Sequence, residues 1–280
     1  MSITASTAKK ASNLYNLFDT HCHLNLPELA GTEPNQKQLQ QHWQDAQQVG
    51  VTQLLIPATE PAAWSTLLKL QQQQAACWHI ALGVHPWWAK TSPLAAIEQL
   101  SALYQSHSKQ IVAVGEIGLD FALASDTFLA QQAWFEQQLA LAKQLAKPVI
   151  LHHRKSQPQL LEEIKRQHFT AGGILHAFSG SVQQAQSFIE QGFKLGIGGT
   201  ITYQRAAKTH KVVQQLPLSS FVLETDAPSM PLAGYQGQIN TPARLAEVFA
   251  CFCQLRSEPA AEIAHALWQN SIDILGLGRL

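Results

Sequence analysis

The sequence predicts an α/β protein of the (β/α)8 TIM-barrel class, and three observations support that prediction. Eight short runs rich in Val, Ile and Leu recur along the 280 residues. Their near-continuous apolarity is typical of strands that are buried on both faces. Amphipathic stretches long enough for helices lie between them, and this alternation implies parallel strands with right-handed crossovers. Eight units of about thirty residues match a barrel in count and length, whereas a doubly wound open sheet is the alternative.

The elements follow one another without a linker that would divide the chain. The predicted strands are 14–18, 51–56, 78–84, 111–115, 148–151, 172–175, 193–197 and 221–223. The predicted helices include 36–49, 61–74, 93–107, 126–145 and 182–191, and helices 242–255 and 259–275 follow the last strand. We expect one domain of the hydrolase-barrel type over 14–280, a flexible lead-in over 1–13, and an exposed glutamine tract at 71–74.

Composition favours a folded protein and excludes several classes. Hydrophobic residues make up 46% of the chain and charged residues 14%. The chain has no continuously apolar run of about 18 residues and no signal-like apolar segment near its start, so we expect a cytoplasmic protein without membrane contact. The four cysteines show no paired framework, and no feature indicates an obligate protein partner. A formal net charge of zero argues against a broad electrostatic grip on nucleic acid.

His21 and His23 end the first apolar run and are the strongest single signal for a functional site. In an extended backbone, side chains at i and i+2 leave the same face, so the two imidazoles can bind one metal ion. The alternative is a pair of histidines in a surface loop.

Polar residues of metal-binding types recur at the ends of the other strands. The carboxyl ends of barrel strands converge on one face, where active sites of this fold lie. A single histidine at a strand end is usually structural, but six or more metal-binding residues at corresponding places predict a metal centre. These residues are His21 and His23, His85, Glu116, His152 and His153, His176, Glu224 and Asp226.

The residue types and their order suggest how two ions are held. His21 and His23 can share one ion with Asp226, and His152 and His176 can share a second. Such a pair of ions binds and activates a water molecule, which implies hydrolysis.

Two carboxylates complete this predicted centre. Glu116, on the strand between the two pairs, can bridge both ions, and Asp226 can orient the water and take its proton. The phosphate-binding and dinucleotide-binding glycine motifs are missing from the sequence, so no other cofactor is expected.

Six motifs, in order, give the sequence a strong resemblance to the TatD family of metal-dependent hydrolases. The likeness extends from about Asp19 to the C-terminus and is closest to the YjjV-like branch, through 198–203 and 231–238. The motifs are Asp19-Thr20-His21-Cys22-His23, Gly83-Val84-His85-Pro86, Gly115-Glu116-Ile117-Gly118-Leu119-Asp120, Leu151-His152-His153-Arg154, Leu175-His176-Ala177-Phe178-Ser179-Gly180 and Leu223-Glu224-Thr225-Asp226-Ala227-Pro228.

This resemblance implies a TIM barrel of the amidohydrolase type with two divalent metal ions, such as zinc, manganese or magnesium. For well-studied relatives it implies DNase activity, including removal of nucleotides from 3′ ends, and for others ester hydrolysis on aminoacyl-tRNA. It implies nucleic acid or another phosphoester as substrate. The ligands implied are His21, His23, Glu116, His152, His176 and Asp226.

The sequence departs from the family pattern in three places. His153 stands where Ser is common, and as the strand neighbour of His152 it is expected to point to the opposite face. Gln236, Gln238 and Ile239 occupy a stretch that is basic in DNA-cleaving relatives, which weakens any phosphate clamp. Phe121 replaces a frequent Tyr and removes a hydroxyl near the site.

Further residues are candidates for substrate contact. Arg154, with Arg205 and Lys208, can contact phosphate or lie on a solvated face, and His85 can contact substrate or bond a neighbouring loop.

Two carboxylates are candidates for a supporting role. Glu224 and Asp120 are expected to support metal ligands by hydrogen bonding, although Glu224 can equally meet an Arg at the strand end.

The leading hypothesis is therefore a metal-dependent phosphodiesterase or deoxyribonuclease. The alternative is a hydrolase of a carbonyl substrate such as an aminoacyl ester, lactone or amide. Many carbonyl and phosphotriester hydrolases of the wider superfamily use a carboxylated lysine on strand four, and Glu116 holds that place here. A barrel that keeps metals only for stability is a third reading, which the complete ligand set with Asp226 disfavours.

Overall fold

The computed structural model describes residues 15–31 and 37–278 and contains the predicted (β/α)8 TIM barrel. Eight strands form one sheet in chain order from β1 to β8. They are β1 Leu17–Asp19, β2 Val51–Pro57, β3 Trp78–Leu82, β4 Ile111–Asp120, β5 Val149–Arg154, β6 Gly173–Leu175, β7 Phe193–Ile197 and β8 Phe221–Leu223.

Helices connect the strands and follow the last one. They are α1 Pro27–Ala30, α2 Lys37–Gln48, α3 Trp64–Gln73, α4 Ala96–Ser106, α5 Phe128–Leu145, α6 Gln157–Arg166, α7 Val182–Ile189, α8 Ala207–Gln215, α9 Leu245–Gln254 and α10 Ala260–Leu275. None of the helices in the described part of the chain has the length and apolarity needed to cross a bilayer.

Most predicted elements are present with small changes of their ends. β7 and β8 have the predicted bounds, whereas β4 continues five residues beyond the predicted end, to Asp120. The prediction of an exposed glutamine tract is wrong at Gln71, which is buried in α3 and donates to the Ala75 carbonyl. The predicted lead-in 1–13 and the first residue of the first predicted strand lie outside the described residues.

The chain forms two compact units, and the first comprises the described parts of Met1–Leu55, Ala177–Val182 and Gly196–Ser271. Within it, β1 pairs in parallel with the start of β2. The Thr20 amide donates to the Leu223 carbonyl at 2.9 Å, and a parallel bridge joins Cys22 to Ala227. The ends of β1 and β8 are therefore fixed side by side. His21 follows β1 and Asp226 follows β8, so both lie at this junction.

The second unit comprises Ile56–His176, Gln183–Leu195 and the described part of Ile272–Leu280. It contains the parallel pairs from β3 to β7. The register of β4 on β5 shifts between Val114 and Ile117, which brackets Glu116. Gly118 has φ +144°, and a Cβ there would lie 2.1 Å from the His152 carbonyl oxygen. Glu116 therefore lies in an irregular part of β4. Gly118 allows this part of β4 to pack closely against the backbone of His152 in β5. The predicted single domain over 14–280 stays a prediction.

Two buried glutamines of α5 hold the ends of the strands that carry site residues. Gln138 binds both backbone groups of Val84, accepting from its N–H at 2.6 Å and donating to its carbonyl at 3.1 Å. Gln131 does the same to Asp120, at 2.8 and 3.1 Å. Both side chains are fully buried. Each amide therefore replaces the strand partner that the backbone lacks at the end of the sheet.

Replacing Gln138 with Ala should lower the free energy of unfolding by about 1 to 3 kcal/mol, because two buried backbone groups of Val84 lose their partners. Chemical denaturation followed by circular dichroism measures the change. Gln137→Ala is the matched control, because this neighbouring glutamine of α5 is exposed. Equal stabilities for the two variants would contradict this role of Gln138.

Candidate metal centre

Three side chains of the first unit, His21, His23 and Asp226, bring their polar atoms together and form the first donor group. The two Nε2 atoms lie 3.2 Å apart, and each lies 3.6 Å from Asp226 Oδ1. Both histidines are buried, and the Asp226 side chain is 13% exposed. These three residues form a group that could hold a metal ion, and their sharing of an ion stays a prediction.

Backbone hydrogen bonds position the first donor group. The Asp226 amide donates to the His21 carbonyl and the His23 amide to the Ala227 carbonyl, each at 2.8 Å. Asp226 itself has φ +56°, in the left-handed region, which turns its side chain out of the line of β8. The loops after β1 and β8 therefore hold each other in register.

Asp19 links these two loops through hydrogen bonds, a role that was not predicted from the sequence. Its Oδ1 accepts from the Thr225 amide at 2.9 Å and the His21 amide at 3.3 Å, and its Oδ2 accepts from the Thr225 hydroxyl at 2.6 Å. Complete burial raises the pKa of Asp19 to about 7, although the bonds from Thr225 and His21 oppose that rise. The signal available in the sequence was an aspartate two residues before the His-x-His motif.

Three side chains of the second unit, Glu116, His152 and His176, form the second donor group. Glu116 Oε1 lies 3.0 Å from His176 Nε2 and 3.1 Å from His152 Nδ1, and the two nitrogens are 3.4 Å apart. Glu116 is 2% exposed. One carboxylate oxygen therefore faces two imidazoles at the ends of three neighbouring strands.

Asp120 supports His152 from the side away from Glu116. Its Oδ2 lies 3.4 Å from His152 Nε2, so the imidazole lies between two carboxylates. Burial alone would raise the pKa of Asp120, but hydrogen bonds from His152, from the Ala122 amide and from the Trp87 side chain lower it to about 2. The pKa of His152 is raised, because the bonds to Asp120 and Glu116 outweigh its burial. The supporting role of Asp120 stays a prediction.

His85 lies against the second donor group and is 3% exposed. Its Nδ1 accepts from the Trp87 amide at 3.1 Å, and its Nε2 lies 3.5 Å from Glu116 Oε1. Its ring centroid is 4.3 Å from that of His152. Because Nδ1 is an acceptor, the imidazole proton of neutral His85 is on Nε2 and points to Glu116. His85 is therefore a neighbour of Glu116, and its predicted substrate contact stays a prediction.

The spacing of the donor atoms fits a small divalent cation in each group. Ligand atoms about 2.0 to 2.2 Å from one ion in tetrahedral or octahedral geometry are about 3 to 3.5 Å from each other. The first group has separations of 3.2 and 3.6 Å and the second of 3.0 to 3.4 Å. Imidazole with carboxylate is also a donor set that zinc, manganese and iron accept.

Glu224 is fully buried in the first unit, below the loop that carries Asp226. Its Oε1 accepts from the amide of Ala177, the residue that follows His176 in the chain. A Cβ on Gly196 would lie 2.1 Å from Glu224 Oε2, so this glycine leaves room for the carboxylate. Asn240 then ties the loop down by donating to the Thr225 carbonyl at 2.8 Å. The predicted support of a metal ligand by Glu224 stays a prediction.

His153 and Arg154 end β5. His153 Nδ1 lies 3.2 Å from Nε2 of Gln157 on α6, as expected for a strand neighbour on the opposite face. Arg154 is exposed, and its guanidinium makes neither an ion pair nor a hydrogen bond with any residue that the structure describes.

The fold and the two donor groups define the class of the protein. Metal-dependent hydrolases carry histidine and carboxylate donors at the carboxyl ends of the strands of such a barrel. The chain is a member of that class. A family model described as TatD related DNase matches residues 18–276, and the chain belongs to this family, as its motifs predicted.

Two bacterial relatives are similar over nearly their whole length. An Escherichia coli protein described as the uncharacterized metal-dependent hydrolase YjjV is 43% identical over 260 residues, 93% of this chain and 98% of that protein. A Haemophilus influenzae metal-dependent hydrolase is 39% identical over 92% of this chain and 99% of its own length. The crystal structure of YjjV has a TM-score of 0.85, covering 92% of this chain and 97% of that chain.

Replacing Asp120 with Asn should weaken the binding of one divalent ion about 10- to 100-fold, because His152 loses the carboxylate that orients it. Calorimetric titration of the metal-stripped protein with zinc measures this affinity. Asp126→Asn is the control, since it removes the same charge from an exposed carboxylate paired with Lys90. Unchanged zinc affinity in the Asp120 variant would contradict its supporting role.

Proposed function

We propose that the protein is a divalent-metal-dependent phosphodiesterase that cleaves nucleic acid, most specifically a deoxyribonuclease. The observation that carries this proposal is the environment of Glu116, which has the imidazoles of His85, His152 and His176 within 3.5 Å of its Oε1. Many carbonyl and phosphotriester hydrolases of the wider superfamily have a carboxylated lysine at this place. A glutamate there favours the phosphodiesterase reading, and the description of the matching family as DNase-related supports it.

Two ions are proposed, one for each donor group. His21, His23 and Asp226 would hold one ion, and Glu116, His152 and His176 would hold the other. Zinc, manganese and magnesium are the candidate ions, and their availability decides between them.

In the proposed reaction, the bound ions supply Lewis acidity and lower the pKa of the attacking water. Asp226 orients that water and accepts its proton on a carboxylate oxygen. The hydrogen bond from the Asp226 backbone N–H to the His21 carbonyl holds this residue in place. Arg154 contacts a phosphate oxygen of the substrate, because its exposed guanidinium can bind two such oxygens at once.

A local excess of positive charge supports a polyanionic substrate although the formal net charge is zero. The segment 191–223 has no Asp or Glu and contains Lys194, Arg205, Lys208 and Lys211. The last three are exposed around α8, and the Arg205 guanidinium lies 5.0 Å from the ring centroid of Tyr203. We propose that this segment contacts the sugar-phosphate backbone away from the scissile bond.

A carbonyl substrate is the second candidate, and the loop after β8 favours it. Gln238 accepts a hydrogen bond from Arg244, whose guanidinium also lies 3.9 Å from the Tyr235 ring centroid. Ile239 is 49% exposed in the same loop. The Arg244 side chain is therefore engaged in holding the loop, and an apolar group faces solvent where DNA-cleaving relatives are basic.

Replacing Asp226 with Asn should lower kcat for a phosphodiester by about 10² to 10⁴-fold, because the group that accepts the proton is lost while the side chain keeps its size. The test compares hydrolysis of bis(p-nitrophenyl) phosphate and of a 3′-labelled single-stranded DNA by zinc-, manganese- and magnesium-loaded protein. Asp126→Asn again serves as the charge-matched control. Metal content is measured in each variant to separate lost chemistry from lost ions.

Hydrolysis of p-nitrophenyl acetate decides between the two candidates. Metal-dependent cleavage of the phosphodiester and the DNA, lost in the Asp226 variant, would support the phosphodiesterase. Turnover of the acyl ester alone would replace it with the carbonyl hydrolase. Unchanged activity in the Asp226 variant would reject the proton-accepting role of this residue.

A further inference from the structure

Trp87 is a large aromatic side chain that remains mostly in solvent. It lies in the 3-10 helix Pro86–Trp88, directly after His85, and is 59% exposed. Tryptophans are usually buried over most of their surface, and an exposed one beside a functional site is typical of a binding surface. The protein gains little packing energy from Trp87 in this position.

Trp87 is nevertheless held firmly, and both attachments lead to the second donor group. Its side chain lies near the carboxylate of Asp120, whose pKa it helps to lower and whose Oδ2 lies 3.4 Å from His152 Nε2. Its amide donates to His85 Nδ1, and the two rings lie at 76° with centroids 4.8 Å apart. An aromatic surface fixed at both its backbone and its ring loses little conformational freedom when a ligand binds.

An open cation lies on the neighbouring strand. Arg154 pairs in register with Asp120 across β4 and β5, and its carbonyl accepts from the Phe121 amide at 2.8 Å. Its guanidinium is exposed and has no ion-pair partner in the described part of the chain. Asp120, which lies near Trp87, is therefore paired with Arg154, whose guanidinium is suited to binding phosphate.

We propose that Trp87 is a stacking platform for the nucleobase of the nucleotide that is cleaved, while Arg154 contacts a phosphate of that nucleotide. The proposal rests on the phosphodiesterase function and names the part of the substrate that is recognised. Stacking on an aromatic side chain accepts any base, so Trp87 selects nucleotides over other phosphoesters without selecting a sequence. Trp87 is thus a specificity-determining residue.

The test compares two single-stranded DNA substrates that differ only in the terminal nucleotide, which either carries a base or is abasic. Trp87→Ala should raise KM about tenfold for the substrate with a base, leave kcat nearly unchanged, and have little effect on the abasic substrate. Trp87→Phe should restore part of the affinity. Trp88→Ala is the matched control, because Trp88 is the adjacent tryptophan and is 37% exposed.

An equal effect of Trp87→Ala on both substrates would overturn the proposal, because a purely structural role through Asp120 would affect them alike. No effect on either substrate would overturn it as well.

A binding measurement separates this proposal from the proposed function. Zinc-loaded protein is titrated with thymidine 5′-monophosphate and with deoxyribose 5-phosphate while tryptophan fluorescence is recorded. Saturable quenching by the nucleotide alone, present in the wild type and absent in Trp87→Phe, would support stacking even if no phosphodiester is hydrolysed. The same quenching in both proteins would overturn stacking even if DNA is cleaved.

Discussion

Several carboxylates are buried at the ends of the strands, and their negative charge must be compensated for these ends to be stable. Asp19, Glu116, Asp120 and Glu224 are each at most 2% exposed. Removing a carboxylate from water costs several kcal/mol unless it gains hydrogen bonds or a counter-charge. The contacts described above supply imidazoles and backbone N–H groups, which satisfy lone pairs of these carboxylates. Divalent cations in the two donor groups would supply positive charge. The buried carboxylates are therefore also a reason for the protein to bind metal.

The same carboxylates make the site rigid before any ion binds. Asp19 fixes the turn of His21 to that of Thr225, and Gln131 fixes the backbone of Asp120 at the end of β4. A ligand set that is held in place by hydrogen bonds loses little freedom on binding an ion, and this preorganisation raises affinity. Stability and function therefore draw on one network in this protein.

Sequence patterns predicted those features that depend on residue type and period. The bounds of β7 and β8 follow from their apolar runs. The residues of each donor group were named because they end or follow such runs, and each group brings its polar atoms within 3.6 Å of one another. The end of β4 did not follow in this way, because Gly115 and Gly118 interrupt the apolar run although the backbone continues as strand to Asp120. Gln131 and Gln138 look like the exposed glutamines of the same helix, and only tertiary contacts distinguish them. Helices α6 and α8 were not among the helices named from the sequence, because most of their residues are charged or polar.

The metal centre by itself does not determine the substrate, because one set of ions and carboxylates can hydrolyse many esters. The groups around the metal centre determine which substrate binds. For a polyanionic substrate, the charge that matters is the charge close to the binding site. Exposed charges are largely screened beyond about 8 Å at physiological salt, so a net charge averaged over the whole surface says little about any one groove. The acid-free segment 191–223 and the open guanidinium of Arg154 are local in this sense, whereas Ile239 favours an apolar group. Two of these three features favour phosphate, and Trp87 adds an aromatic surface that a simple acyl ester would not use.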